Sequence, residues 1–104
     1  MTSAATGAIL AARALRGAGV RVVFALPGEH IDPLLEAAAD EGVRVITTRH
    51  EEAAVLAAEG WALATGEPGV AAVTAGPGLA NALPGIVEAQ AAGAPVVVLA
   101  GRTA

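Results

Sequence analysis

A chain of 104 residues has room for one small domain, able to bury roughly two-thirds of the surface its unfolded form exposes. Hydrophobic residues make up 55% of it, yet no uninterrupted apolar run approaches the ~20 residues a membrane span needs, so the surplus is expected to lie against other protein. A net charge of −4, no lysine and no cysteine exclude a basic nucleic-acid stripe, a lysine Schiff base, a Walker-type phosphate loop, disulfides and thiolate metal sites. The first residues lack the basic and apolar regions of a signal peptide, which points to a cytoplasmic chain.

In chain order, residues 3–18 read as a helix. Ala11, Ala14, Leu15 and Ala18 recur at helical spacing, Arg13 and Arg16 lie on another face, and Gly17 and Gly19 supply the stop. Val20 to Leu26 is short, β-branched and closed by Pro27-Gly28, as a buried strand should be. Residues 31–41 read as a helix, with Asp32 as N-cap, Pro33 at the first helical position and Gly42 after the end. Residues 43–47 form a second strand, 49–65 a helix stopped by Gly66, and 69–74 a third strand. After Gly76-Pro77-Gly78 the chain is helical to about Ala92. Proline inside a helix costs about 3 kcal/mol, so a short turn is expected first, with the main helix starting at Pro84. Residues 95–100 form the fourth strand.

Continuous apolar strands alternating with single helices predict a parallel sheet covered on both faces, a doubly wound α/β fold. Ligands in such sheets bind beyond the carboxyl ends of the strands. Three ends are marked by unusual residues: Pro27 to His30, Thr48 to Glu51, and Thr74 to Asn81. All three should face one edge.

Each has a purely structural reading as well. Thr48 and Glu51 have the spacing of a capping box, in which the glutamate bonds back to its own helix start. Residues 53–58 are apolar all round, however, so a carboxylate at the mouth of that helix would sit in a dry, electropositive place suited to one strong hydrogen bond. Gly76-Pro77-Gly78-Leu79-Ala80-Asn81 imitates a dinucleotide fingerprint, with Asn81 in place of the third glycine. It follows the third strand, though, and no acid lies about 20 residues on. His30 and His50 lack metal-ligand spacing; His50 reads as a packing or capping residue. Arg49, Glu29 and Glu52 read as solvated charges, and Phe24 and Trp61 as core or interface.

The motifs together carry a resemblance. Arg49-His50-Glu51, then Ala57-Ala58-Glu59-Gly60-Trp61 running to Thr65-Gly66, a strand, Gly76-Pro77-Gly78 with Asn81, and a strand ending at Gly101 follow in order. This resembles the pyrimidine-binding domain of thiamine diphosphate enzymes of the acetolactate synthase-like family. The likeness runs from about Ala4 to Gly101. It implies that Glu51 exchanges a proton with the aminopyrimidine ring of the cofactor, and that Pro27, Gly28, Thr74, Gly76, Pro77 and Gly78 line the pyrimidine or substrate side. Asn81 would lie near the cofactor's reactive end.

The segment Gly28-Glu29-His30-Ile31-Asp32 is closer to benzaldehyde lyase-like members, which makes His30 a candidate proton relay. Glu52 stands where acetolactate synthases commonly have glutamine, which leaves the reaction open among carboligase, lyase and decarboxylase. Members of the family hold magnesium and the diphosphate through a G-D-G…N motif in a later domain, which this sequence lacks. The chain therefore reads as a fragment, a truncated product or one piece of a split enzyme. Its expected partners are the missing domains or a homodimer or tetramer, with a small-molecule substrate. The readings from other classes are a non-catalytic interaction module, pairing through the Ala53–Ala64 face, and a dinucleotide-binding unit.

Overall fold

The computed structural model describes residues 4–103. The order of elements is α1 (Gly7–Gly17), β1 (Val22–Ala25), α2 (Asp32–Asp40), β2 (Arg44–Thr47), α3 (Glu51–Thr65), β3 (Gly69–Val73), α4 (Pro77–Ala92) and β4 (Val96–Ala100). The strands pair in parallel in the order β2-β1-β3-β4. The doubly wound α/β fold is as the alternation of elements predicts. The first residue of the expected opening helix, Ser3, lies outside the described residues.

The strand order has a consequence for function. From β1 the chain moves outward to β2, then α3 carries it back across the sheet to β3 on the other side of β1. The reversal places a crevice between the carboxyl ends of β1 and β3, the usual ligand position in such sheets.

Each sheet face has its own core. Ala12, Ile31, Leu35, Ala38 and Val43 cover one side of Val23, Ala25, Val70 and Ala72. Ala54, Val55, Ala58 and Ala82 cover Val22, Phe24, Ala71 and Val73 on the other. Alternate residues of β1 and β3 thus serve opposite layers, as strand geometry demands. At the far edge Trp61 meets Phe24 edge-on, with ring centroids 6.3 Å apart.

Four expectations need correction. In α1 the buried side chain is Ala12, with Ile9 and Leu15 partly buried, while Ala14 and Ala18 are exposed; the inward stripe is therefore rotated toward Ile9. Asp32 is the first residue of α2 rather than its cap: Ile31 holds the cap position, and Asp32 Oδ1 accepts the Gly28 N–H at 3.0 Å. That carboxylate closes the β1–α2 loop instead of the helix end.

α4 runs unbroken through Pro84. Its buried residues Gly78, Ala82, Gly85 and Ala89 form one stripe across the proline, whose own side faces solvent. Packing along that stripe holds both halves together. The carbonyl of Ala80, deprived of its usual donor, lies on the exposed side where water can reach it.

Finally, α3 is not buried on most sides. Ala54, Val55, Ala58 and Ala62 face inward, while Ala53, Leu56, Gly60 and Leu63 form an exposed stripe. No helix among the described residues is long and apolar enough to cross a membrane.

Candidate functional site

The mouth of α3 is built by a cap that leaves its first glutamate uncommitted. His50 is the N-cap: its backbone is extended and its Nδ1 accepts the Glu52 N–H at 3.0 Å. Thr48 turns its hydroxyl to donate to the His50 carbonyl at 2.9 Å. The capping box that the Thr48–Glu51 spacing suggests does not form. With the imidazole satisfying an orphan amide of the first turn, Glu51 can point elsewhere.

It points across to α4. The Asn81 side-chain amide Nδ2 donates to Glu51 Oε1 at 3.3 Å, in a partly buried contact. Glu51 as a whole is only 7% exposed. Its second oxygen, Oε2, has no hydrogen-bond donor among the described residues, and no buried side-chain oxygen there is left unpartnered, so Oε2 retains an opening. Burial at a helix N-terminus with one free oxygen suits a carboxyl group that gives or takes a single proton.

Two glycines let neighbouring elements pack closely on Thr74 beside it. A Cβ on Gly78 would stand 2.9 Å from Thr74 Cγ2 and 3.5 Å from Glu51 Oε2. A Cβ on Gly28 would collide with the Thr74 side chain at 2.6 Å. Thr74, at the end of β3, is therefore flanked by the β1–α2 loop on one side and the start of α4 on the other. Gly76 makes the turn with a positive φ of 63°, which admits glycine far more readily than any other residue, and Pro77 follows as the first helical residue.

The structure thus assembles Gly28, Glu51, Thr74, Gly78 and Asn81 around the β1/β3 switch point, with Gly76 and Pro77 forming the turn between them. Pro27 opens the β1–α2 loop and also borders a cleft of about 350 Å³ with Asp32, Leu35 and Val45. His30 packs at the other side of the edge, its Cβ and backbone against Gly101 just past β4, and no hydrogen bond joins it to Glu51 among the described residues. A second hollow, of about 290 Å³, lies at the opposite edge of the sheet between Leu15, Trp61, Val70 and Val97. Its charged residues are already paired, Arg21 with Glu67 at 2.9 Å.

Sequence reasoning missed the contact between Glu51 and Asn81. They lie 30 residues apart, and no local pattern links them. The one available sign was Gly85 inside a helix: a Cβ there would meet Val55 Cβ at 2.8 Å. Such a glycine marks a close helix–helix approach, and the same approach lets Asn81 reach the mouth of α3.

A parallel sheet with a buried carboxyl group beside closely packed glycines at its switch point has the layout of α/β domains that bind small ligands. Comparison with known proteins names the class. The family model described as "Thiamine pyrophosphate enzyme, N-terminal TPP binding domain" matches residues 5–104, and the chain belongs to that family. It is 47% identical over 93 residues to a probable acetolactate synthase of Mycobacterium bovis, covering 89% of this chain and 17% of the relative. It is 52% identical over 100 residues to 2-hydroxyacyl-CoA lyase 2 of Mus musculus, covering 96% of this chain and 16% of the relative. A probable acetolactate synthase large subunit of Methanocaldococcus jannaschii is 43% identical over 96 residues, 92% of this chain and 16% of its own length. The chain spans about a sixth of the length of these curated relatives.

Proposed function

We propose that this chain is the pyrimidine-binding part of a thiamine diphosphate-dependent carboligase, lyase or decarboxylase acting on 2-oxo acids or 2-hydroxy carbonyl compounds. The observation that carries the reading is the state of Glu51: buried, released from capping, and with Oε2 open beside a glycine. Thiamine diphosphate, when bound, supplies the carbanion chemistry. Glu51 would hold a proton at Oε2 and exchange it with a ring nitrogen. Gly28 and Gly78 let the β1–α2 loop and the start of α4 close on Thr74 beside Glu51, and Pro27, Gly28, Thr74, Gly76, Pro77 and Gly78 are assigned to the pyrimidine or substrate side. His30, at the rim beside Gly101, is assigned to proton relay on the substrate side.

Diphosphate and magnesium are assigned to a separate diphosphate-binding domain, so residues 1–104 supply one half of a composite site in the cytoplasm. That half needs a companion: a second copy, in a homodimer or tetramer, or the remaining domains of a split enzyme. The exposed leucines of α3 and α4 support such a companion, since Leu56, Leu63, Leu79, Leu83 and Val87 all lie on that layer.

The test joins this chain to the central and diphosphate-binding domains of a relative and replaces Glu51 by Gln. Loss of a positioned acid should lower turnover by roughly 10²- to 10⁴-fold, with the fold unchanged by circular dichroism. Unaltered turnover would remove Glu51 from the mechanism.

A further inference from the structure

We propose that Asn81 is a positioning residue for Glu51, its amide fixing Oε1 so that Oε2 is the oxygen presented to the crevice. The inference rests on the proton-exchanging role of Glu51 proposed above, and it moves Asn81 from contact with the cofactor to control of the acid.

Three observations carry it. The Asn81 Nδ2–Glu51 Oε1 bond is the one side-chain hydrogen bond made to Glu51 among the described residues. Gly78, a turn before Asn81 on α4, has no side chain to crowd Oε2: a Cβ there would stand 3.5 Å from that oxygen and 2.9 Å from Thr74 Cγ2. Gly85, a turn after Asn81, lets α4 close on Val55, which lies a turn after Glu51 on α3. The close approach of the two helices at Gly85 lies one turn from the contact, and the short Asn81 side chain meets the carboxyl group without a long, mobile stem.

The chemistry of the donor matters as much as its place. Neither α3 nor α4 contains a lysine, arginine or histidine, and no cation pairs with Glu51 among the described residues. An arginine here would fasten the group as a carboxylate. A neutral amide orients one oxygen without placing a formal charge beside the carboxyl group. At 3.3 Å the bond is long for N–H···O, in keeping with a contact that guides without locking.

The test has two readouts. In isotope-labelled chain, a fixed Glu51 side chain gives two resolved γ-proton shifts, and the Asn81 side-chain amide signals move when Glu51 is replaced by Gln. Asn81→Ala should merge the γ-proton shifts, Asn81→Asp should do the same because it keeps the shape and loses the donor, and Asn81→Gln should restore much of the separation. Asn81 is exposed on a helix surface, so these variants are expected to fold, and the backbone spectrum verifies it. In the chain joined to its companion domains, Asn81→Ala should lower kcat about 3- to 10-fold, the effect of one neutral hydrogen bond, with KM little changed and Asn81→Gln partly rescuing.

Unmerged γ-proton shifts in Asn81→Ala, or a KM effect in place of the kcat effect, would overturn the positioning role while leaving Glu51 as the acid. Full activity in Glu51→Gln, with merged shifts in Asn81→Ala, would instead overturn the acid, and the positioning role with it.

Discussion

The two helical layers of this domain are made differently. The α1/α2 layer buries Leu35, Ile31 and Val43 beneath it and shows charge outside: Arg13, Arg16, Glu36, Asp40 and Glu41 are spread over its surface, with Arg13 and Glu41 3.7 Å apart. The α3/α4 layer is inverted. Its inner seam is alanine and glycine, and its leucines face outward, Leu63 at 62% and Val87 at 64% exposed. Most of the large apolar residues exposed among the described ones therefore lie on this face, Leu10 of α1 and Val97 of β4 excepted. That face belongs to the two helices that carry Glu51 and Asn81. A layer turned toward water needs charge on its outside; a layer turned toward another polypeptide does not, and close internal packing fixes Glu51 and Asn81 relative to one another.

The sharpest way to break the comparison is through the seam glycine. Gly85→Val places a branched side chain where even a Cβ would sit 2.8 Å from Val55 Cβ and 3.2 Å from the Glu52 carbonyl. Overpacking of this kind should cost about 2 kcal/mol or more, read as a lower denaturant midpoint. In the other layer, Gly17 ends α1 with open space around it. Gly17→Ala should stabilise by up to ~1 kcal/mol, since alanine loses less chain entropy on folding. Equal responses at the two glycines would show the layers to be packed alike.

The outward leucines test what covers the layer. Leu63→Gln with Leu83→Gln should change stability by less than ~0.5 kcal/mol per site while reducing association of the chain measured by sedimentation. An associating parent whose mass distribution is unaltered by the pair would detach these leucines from assembly.

The finest probe is pH. Glu59 on α3, almost buried, meets Glu88 on α4, and this contact raises the Glu59 carboxyl above its ordinary value: first by a hydrogen bond between the two groups, then by burial and by repulsion from Glu88. No basic residue on either helix offsets the pair. Because the folded-state value is raised, the stabilisation is fully present below the unfolded value and is lost as pH rises through the folded one. The chain should therefore gain stability as pH falls from neutral toward the ordinary glutamate range. Glu59→Gln should flatten that slope and be the more stable form at neutral pH. A parent whose midpoint falls steadily over that range, unchanged by the substitution, would dismiss the shared proton.

The alternation of short β-branched runs with alanine-rich helices determined the sheet, its parallel sense and the edge where the motifs gather, because both periodicities are local properties of the chain. The same is true of the stops at Gly42 and Gly66 and of the resemblance carried by Arg49-His50-Glu51 and Gly76-Pro77-Gly78. Local pattern could not choose between Thr48 and His50 as the cap of α3, since each offers an acceptor at a suitable distance along the chain. Nor could it see that α4 would carry Pro84 in its interior, where packing on α3 outweighs a local penalty. Tertiary structure alone decided that Glu51 turns away from its own helix toward Asn81. That choice depends on how closely two helices approach, and the approach is set by Gly85 meeting Val55 across the seam.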